Sequence, residues 1–191
     1  IAYPAAVIAE PGVIRHVEGV RFPVGELDGK QSDRAAKVAA ILVDAGFKSP
    51  VLEDIRSEIW LKLWGNLTFN PISAMTHSTL EAICQFPLTR DLAATMMTEA
   101  KDVAEKLGAS FRVSLERRIE GAEKVGKHKT SMLQDVEAGK PLEIDGMLGV
   151  VIELARMTGT PIPTLKAVYA CVSLLNHTMA EEGIHIKGRP N

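Results

Sequence analysis

The texture of this chain changes near residue 53, from short strands with one helix among them to helices throughout, and that change limits what it can fold into. Before it, residues 1–8, 12–17 and 20–24 form short runs rich in Val, Ile, Phe and Tyr. They are cut by Pro4, Pro11-Gly12, Glu18-Gly19 and Gly25, and such runs between turn residues read as consecutive strands. Ser32-Asp33 then opens a capped amphipathic helix with Ala36, Val38, Ala39, Ile41, Leu42 and Val43, closed by Ala45-Gly46. Pro50-Val51-Leu52 reads as one more short strand. From Asp54 onward the period is helical. Ile55, Ile59, Trp60, Leu63, Trp64 and Leu67 recur at spacings of three and four. Asn70-Pro71 predicts a break or kink, because a proline disfavours helical geometry at the residue before it. Further helices are expected over 89–107, 113–125, 131–138, 144–157 and 164–180, with Gly108 and Gly139 as stops and Pro161 and Pro163 between the last two. The expected fold is mainly α: a short α/β remnant over 1–53, then an all-helical domain over 54–191. Strands this few would leave sheet edges and faces to be covered. The chain also starts on Ile1 rather than Met, so a segment upstream is expected.

Composition excludes several function classes. With 46% hydrophobic and 24% charged residues the chain is globular rather than disordered. A formal net charge of −2 argues against nucleic-acid binding by phosphate neutralisation. The longest apolar stretch, 147–154, contains Gly149 and Glu153 and is too short to span a membrane. Cys84 and Cys171 fit neither a disulfide framework nor a zinc spacing; they read as buried small hydrophobes in a reducing, cytoplasmic setting. His16, His77, His128, His177 and His185 show no paired ligand spacing, so no metal is expected. Met96-Met97 and Met147 read as core filler, and Glu181-Glu182 with the basic tail over 187–189 as a solvated end.

Three segments carry residues suited to chemistry. Lys62, Asn66 and Asn70 are four residues apart and form one polar stripe on a helix. Spacing leaves two readings open: a solvated face, or a cleft wall where a lysine protonates a developing alkoxide and asparagines orient a polar substrate. In the second segment Ser131 and Gln134 match a capping box, and a helix N-terminus also attracts carboxylates. In the third, Glu143 and Asp145 precede the next helix, as dipole-capping acids or as a carboxylate that grips a substrate hydroxyl.

Together these blocks resemble the C-terminal part of the ketopantoate reductase (2-dehydropantoate 2-reductase) family. The residues that carry the resemblance are Lys62, Asn66 and Asn70-Pro71; Thr130-Ser131-Met-Leu-Gln-Asp135; and Leu142-Glu-Ile-Asp145 with Gly146. The Lys-x-x-x-Asn element is shared more widely, with hydroxyacid dehydrogenases related to 6-phosphogluconate dehydrogenase. The resemblance implies that residues 1–53 end a Rossmann domain and that 54–191 form a helical substrate domain of the 6-phosphogluconate dehydrogenase C-terminal type. It implies NADPH-dependent reduction of ketopantoate to pantoate, in pantothenate and coenzyme A synthesis. Lys62 resembles the general acid and Glu143 the carboxylate that binds the substrate hydroxyl. Asn66 and Asn70 resemble substrate-orienting residues, and Ser131 a carboxylate ligand. The expected partner is a small 2-oxo acid, with a homodimer through the helical domain also in view.

The chain departs from that pattern in two ways. A Gly-x-Gly-x-x-Gly fingerprint is absent, and Gly12, Gly19 and Gly25 are too far apart to replace it. No cofactor-binding residue is therefore assigned, and the chain alone is expected neither to hold NADPH tightly nor to turn over. Leu80 and His128 stand where ketopantoate-specific members often carry asparagine, which leaves a different 2-oxo acid open. A non-catalytic helical dimerisation or interaction module is the reading from another class, because apolar helix faces serve both purposes.

Overall fold

The structure, a computed structural model, describes residues 1–183. His185 and the basic tail over 187–189 lie outside the described residues. The chain divides into two compact units, Ile1–Ile59 and Trp60–Asn191.

The first unit opens with an antiparallel hairpin of β1 (Ala5–Glu10) and β2 (Val13–Glu18). Pro11-Gly12 turns it, with Gly12 at φ +81°, where a glycine has no Cβ to clash. The expected strands over 20–24 and 50–52 do not form a ladder. They meet at two isolated parallel bridges, Arg21 with Lys48 and Val24 with Val51. Pro23 and Pro50 stand in the two segments, and a proline has no N–H to give a ladder. The helix α1 (Asp33–Asp44) starts where expected, with the Ser32 hydroxyl accepting from the Ala35 N–H at 3.0 Å, and ends before Gly46 at φ +91°. Glu58, 3% exposed, accepts from the Tyr3 hydroxyl at 2.8 Å and pairs with Arg21. Glu58 raises the Arg21 pKa, and Arg21 also lies over the Tyr3 ring.

The second unit is helical throughout its described residues. Its elements are α2 (Ile55–Thr76, whose first five residues belong to the first unit), α3 (Leu80–Gln85), α4 (Pro87–Lys106), α5 (Leu115–Lys124), α6 (Ser131–Ala138), a π turn (Asp145–Gly149), α7 (Val150–Thr158) and α8 (Pro163–Glu182). Short α3 has no counterpart in the sequence reading. The break expected at Pro71 does not occur. Pro71 sits inside α2 among Leu67, Phe69, Ile72 and Ala74, all buried. Packing on every side outweighs a proline cost of about 3 kcal/mol. The single helix expected over 144–157 is a π turn followed by α7.

One core joins these helices. Trp64, Met96, Met97 and Leu165 are fully buried at its centre. Trp64 donates from Nε1 to the Met97 carbonyl at 2.7 Å, and its ring centroid lies 4.4 Å from that of Phe111. The N-terminus of α8 has no local side-chain cap. Buried Glu99 on α4 takes that role, accepting from the Thr164 and Leu165 N–H groups at 2.9 Å each.

The cysteines part ways. Cys84 is buried, as expected, but Cys171 is exposed on α8. The reading of both as core residues failed because a helix has an outer face and a lone cysteine carries no sign of which face it takes. Burial pushes the Cys84 thiol up to about 11, so it stays a neutral thiol at pH 8, and only the thiolate is nucleophilic. Iodoacetamide at pH 8 is expected to label Cys171 in the folded protein and Cys84 only after denaturation, as read by peptide mass mapping. Equal native labelling of both would contradict this burial.

Candidate active site

Lys62, Asn66 and Asn70 lie along α2 at four-residue steps, about 6 Å apart along the axis. Trp64 and Leu67 turn the opposite face into the core. Lys62 and Asn66 are half-buried and Asn70 is buried. The stripe is therefore not a freely solvated face. Gly65 lies within it, and a side chain there would run into the Arg118 guanidinium of α5. The absence of a Cβ lets α5 bring its arginine onto the α2 backbone.

Asn70 is where distant segments meet. Its Nδ2 lies 3.5 Å from Ser131 Oγ at the start of α6 and 3.9 Å from Met147 Sδ in the π turn. The capping box expected at Ser131 is instead organised around Thr130. The Thr130 hydroxyl accepts from the Leu133 N–H at 3.3 Å, and Gln134 Nε2 donates to the Lys129 carbonyl at 3.1 Å. Ser131 thus sits one residue into the helix, exposed, with its hydroxyl beside Asn70. The preceding loop is pinned to α3: the Leu80 N–H donates to the His128 carbonyl at 3.1 Å, and the Glu81 N–H to that of Gly126 at 3.2 Å. The two positions that depart from the resemblance are therefore backbone neighbours, just ahead of Ser131.

Glu143 is exposed on the rim of a hollow of about 450 Å³ lined by residues 142–147. Burial raises the Asp135 pKa, Lys140 opposes that, and the charge of Glu143 adds to it. The carboxyl of Asp135 thus feels Glu143 as a like charge. Asp145 accepts from the Tyr169 hydroxyl at 2.7 Å, and this bond raises the Tyr169 pKa.

Of the predicted set, Asn70 and Ser131 come into contact. Lys62 and Asn66 lie on the same helix, two turns and one turn before Asn70, and Glu143 stands in the segment that carries Met147, but among the described residues no hydrogen bond joins these three to the Asn70–Ser131 pair. Met147 was read as filler; it packs half-buried against the core and also closes on the Asn70 amide. Among the described residues no group of three or more His, Cys, Asp or Glu side chains could hold a metal ion. No helix of the described residues is long and apolar enough to cross a membrane.

Residues 54–176 match the family profile described as "Ketopantoate reductase PanE/ApbA C terminal". The chain belongs to the ketopantoate reductase family. The 2-dehydropantoate 2-reductase of Mesorhizobium japonicum is 54% identical over 175 residues, which cover 92% of this chain and 54% of that protein. The solved 2-dehydropantoate 2-reductase of Methylococcus capsulatus aligns with a TM-score of 0.86 at 30% identity, over 95% of this chain and 63% of that one. A D-mandelate dehydrogenase solved with NADH shares the fold, with a TM-score of 0.83 at 19% identity over 93% of this chain and 61% of that one. The chain spans about half the length of the curated relatives it matches. In this ketopantoate reductase-family chain, the profile takes in all three segments that carry the predicted site residues.

Proposed function

We propose that this chain is the substrate half of an NADPH-dependent reductase that converts ketopantoate to pantoate. On this reading residues 1–53 end the dinucleotide-binding domain, and 54–191 bind the substrate and supply the proton. The observation that carries it is the convergence of Asn70, Ser131 and Met147 from three separate segments, beside the hollow that bears Glu143. The name of the 54% identical relative supports the substrate class.

The chemistry follows from the side chains. Reduction of a ketone turns its oxygen into an alkoxide. Lys62 gives that oxygen a proton, and its positive charge stabilises the oxygen before the proton moves. Glu143 accepts from the substrate hydroxyl, while Asn66 and Asn70 orient the 2-oxo acid. The Ser131 hydroxyl meets the substrate carboxylate at the N-terminus of α6, where backbone N–H groups favour an anion. A nicotinamide cofactor would supply the hydride. No glycine-rich strand–turn–helix stands among the described residues, so the residues present do not fit the pyrophosphate of such a cofactor. On this reading it is held by a segment upstream. Two free cysteines suit a reducing, cytoplasmic setting.

The test joins this chain to an upstream cofactor-binding segment, such as that of the Mesorhizobium relative, and follows NADPH oxidation. Ketopantoate is expected to be preferred over pyruvate and 2-oxoisovalerate. Preference for another acid would keep the mechanism and move the substrate, with Leu80 and His128 the first positions to exchange. No oxidation with any 2-oxo acid would reject the reading in favour of a helical interaction module.

A further inference from the structure

We infer that Tyr169 and Asn176, on one face of α8, are positioning residues that pin both ends of the segment bearing Glu143. Its consequence for turnover rests on the reading above. At one end, Asn176 Oδ1 accepts from the Leu142 N–H at 2.9 Å. At the other, the Tyr169 hydroxyl donates to Asp145 Oδ1 at 2.7 Å. Positions 169 and 176 are seven residues apart, two turns, and so share one face of α8. The two bonds bracket Glu143, which has Leu142 on one side and Asp145 two residues beyond.

The pinned segment needs such support because its backbone is irregular. The Gly149 N–H reaches the Ile144 carbonyl at 3.3 Å, five residues back, and the Val150 N–H reaches that of Asp145. A π turn of this kind is rare and interrupts the regular α-helical bonding pattern. Ile144 and Leu148 are buried and hold it from below. From above, side chains on α8 reach the Leu142 N–H and the Asp145 carboxylate. Gly149 makes room for them: a Cβ there would lie 3.3 Å from Asp145 Oδ1 and 3.7 Å from the Tyr169 ring. The same turn carries Met147 to the Asn70 amide. The α8 face thus sets where both the Glu143 carboxylate and the Met147 thioether stand.

The experiment uses the extended protein and four substitutions: Tyr169→Phe and Asn176→Leu, which delete a bond, and Asp145→Asn and Asn176→Asp, which keep an acceptor. Amide hydrogen exchange at 142–149 is expected to quicken about five- to tenfold in the deleting variants, the loss typical of one hydrogen bond. The rest of α7 and α8 should stay as in the parent. In turnover, KM for the 2-oxo acid should rise by a similar factor while KM for the cofactor and kcat hold. The conserving variants should behave as the parent. Unchanged exchange at 142–149, a uniform rise across all helices, or an Asn176→Asp variant as defective as Asn176→Leu would overturn the inference. A parent protein that reduces no 2-oxo acid but shows the local exchange pattern would reject the proposed reaction and leave the pinning intact.

Discussion

Replacing Lys62 by alanine in the extended protein is expected to lower kcat by at least about a hundredfold, with the fold kept. Loss of a general acid typically costs 10²–10⁴ in rate, and on the proposed reading the same side chain would supply the charge that meets the nascent alkoxide. Folding should survive because Lys62 is only half-buried on the polar side of α2, and alanine is the best helix former. Circular dichroism and the thermal midpoint are therefore expected to stay near the parent's. Lys62→Arg separates the two roles. A guanidinium keeps the positive charge but does not give up its proton, so substrate binding should recover while kcat stays low. A Lys62→Ala variant with kcat within threefold of the parent would retire the general-acid assignment.

Trp64→Ala, two residues along, acts through stability instead, with a loss of about 3–5 kcal/mol. Trp64 is fully buried, its ring against Phe111 and its indole N–H on the Met97 carbonyl. Alanine leaves a cavity at the junction of α2 and α4 and removes the indole N–H bond to the Met97 carbonyl. A domain stable by only about 5–15 kcal/mol loses a large share of that margin, and the midpoint should fall on the order of 10 °C. Trp64→Phe refills part of the volume but not the hydrogen bond, and should fall between. Thermal unfolding followed by circular dichroism reads all three proteins. A shift below about 2 °C for the alanine variant would mean that the indole does not anchor α2. The neighbouring positions thus separate a chemical role from a packing role on one helix.

Much of this molecule was legible in the chain because local rules governed it. The spacing of Trp60, Trp64 and Leu67 marked α2. Ser32 and Gly46 marked the ends of α1, and Gly139 the end of α6. Lys62, Asn66 and Asn70 fell on one stripe because a four-residue step returns nearly to the same side of a helix. These signals act over one or two turns, so a reader of the sequence sees them whole. The failures share the opposite property. Pro71 stays helical because the buried stretch of α2 around it, Leu67 to Ala74, is held in the core of the helical unit. Thr130 rather than Ser131 caps α6, a one-residue choice that local sequence leaves open. The π turn has no periodic signature, and its partners Tyr169 and Asn176 lie 24 and 34 residues from the atoms they hold. The cap of α8 comes from Glu99, some 65 residues upstream. Sequence alone determined most of the helices, the polar stripe on α2 and the family likeness. Only the tertiary structure decided which of those polar groups meet, because their partners are brought close by packing rather than by spacing along the chain.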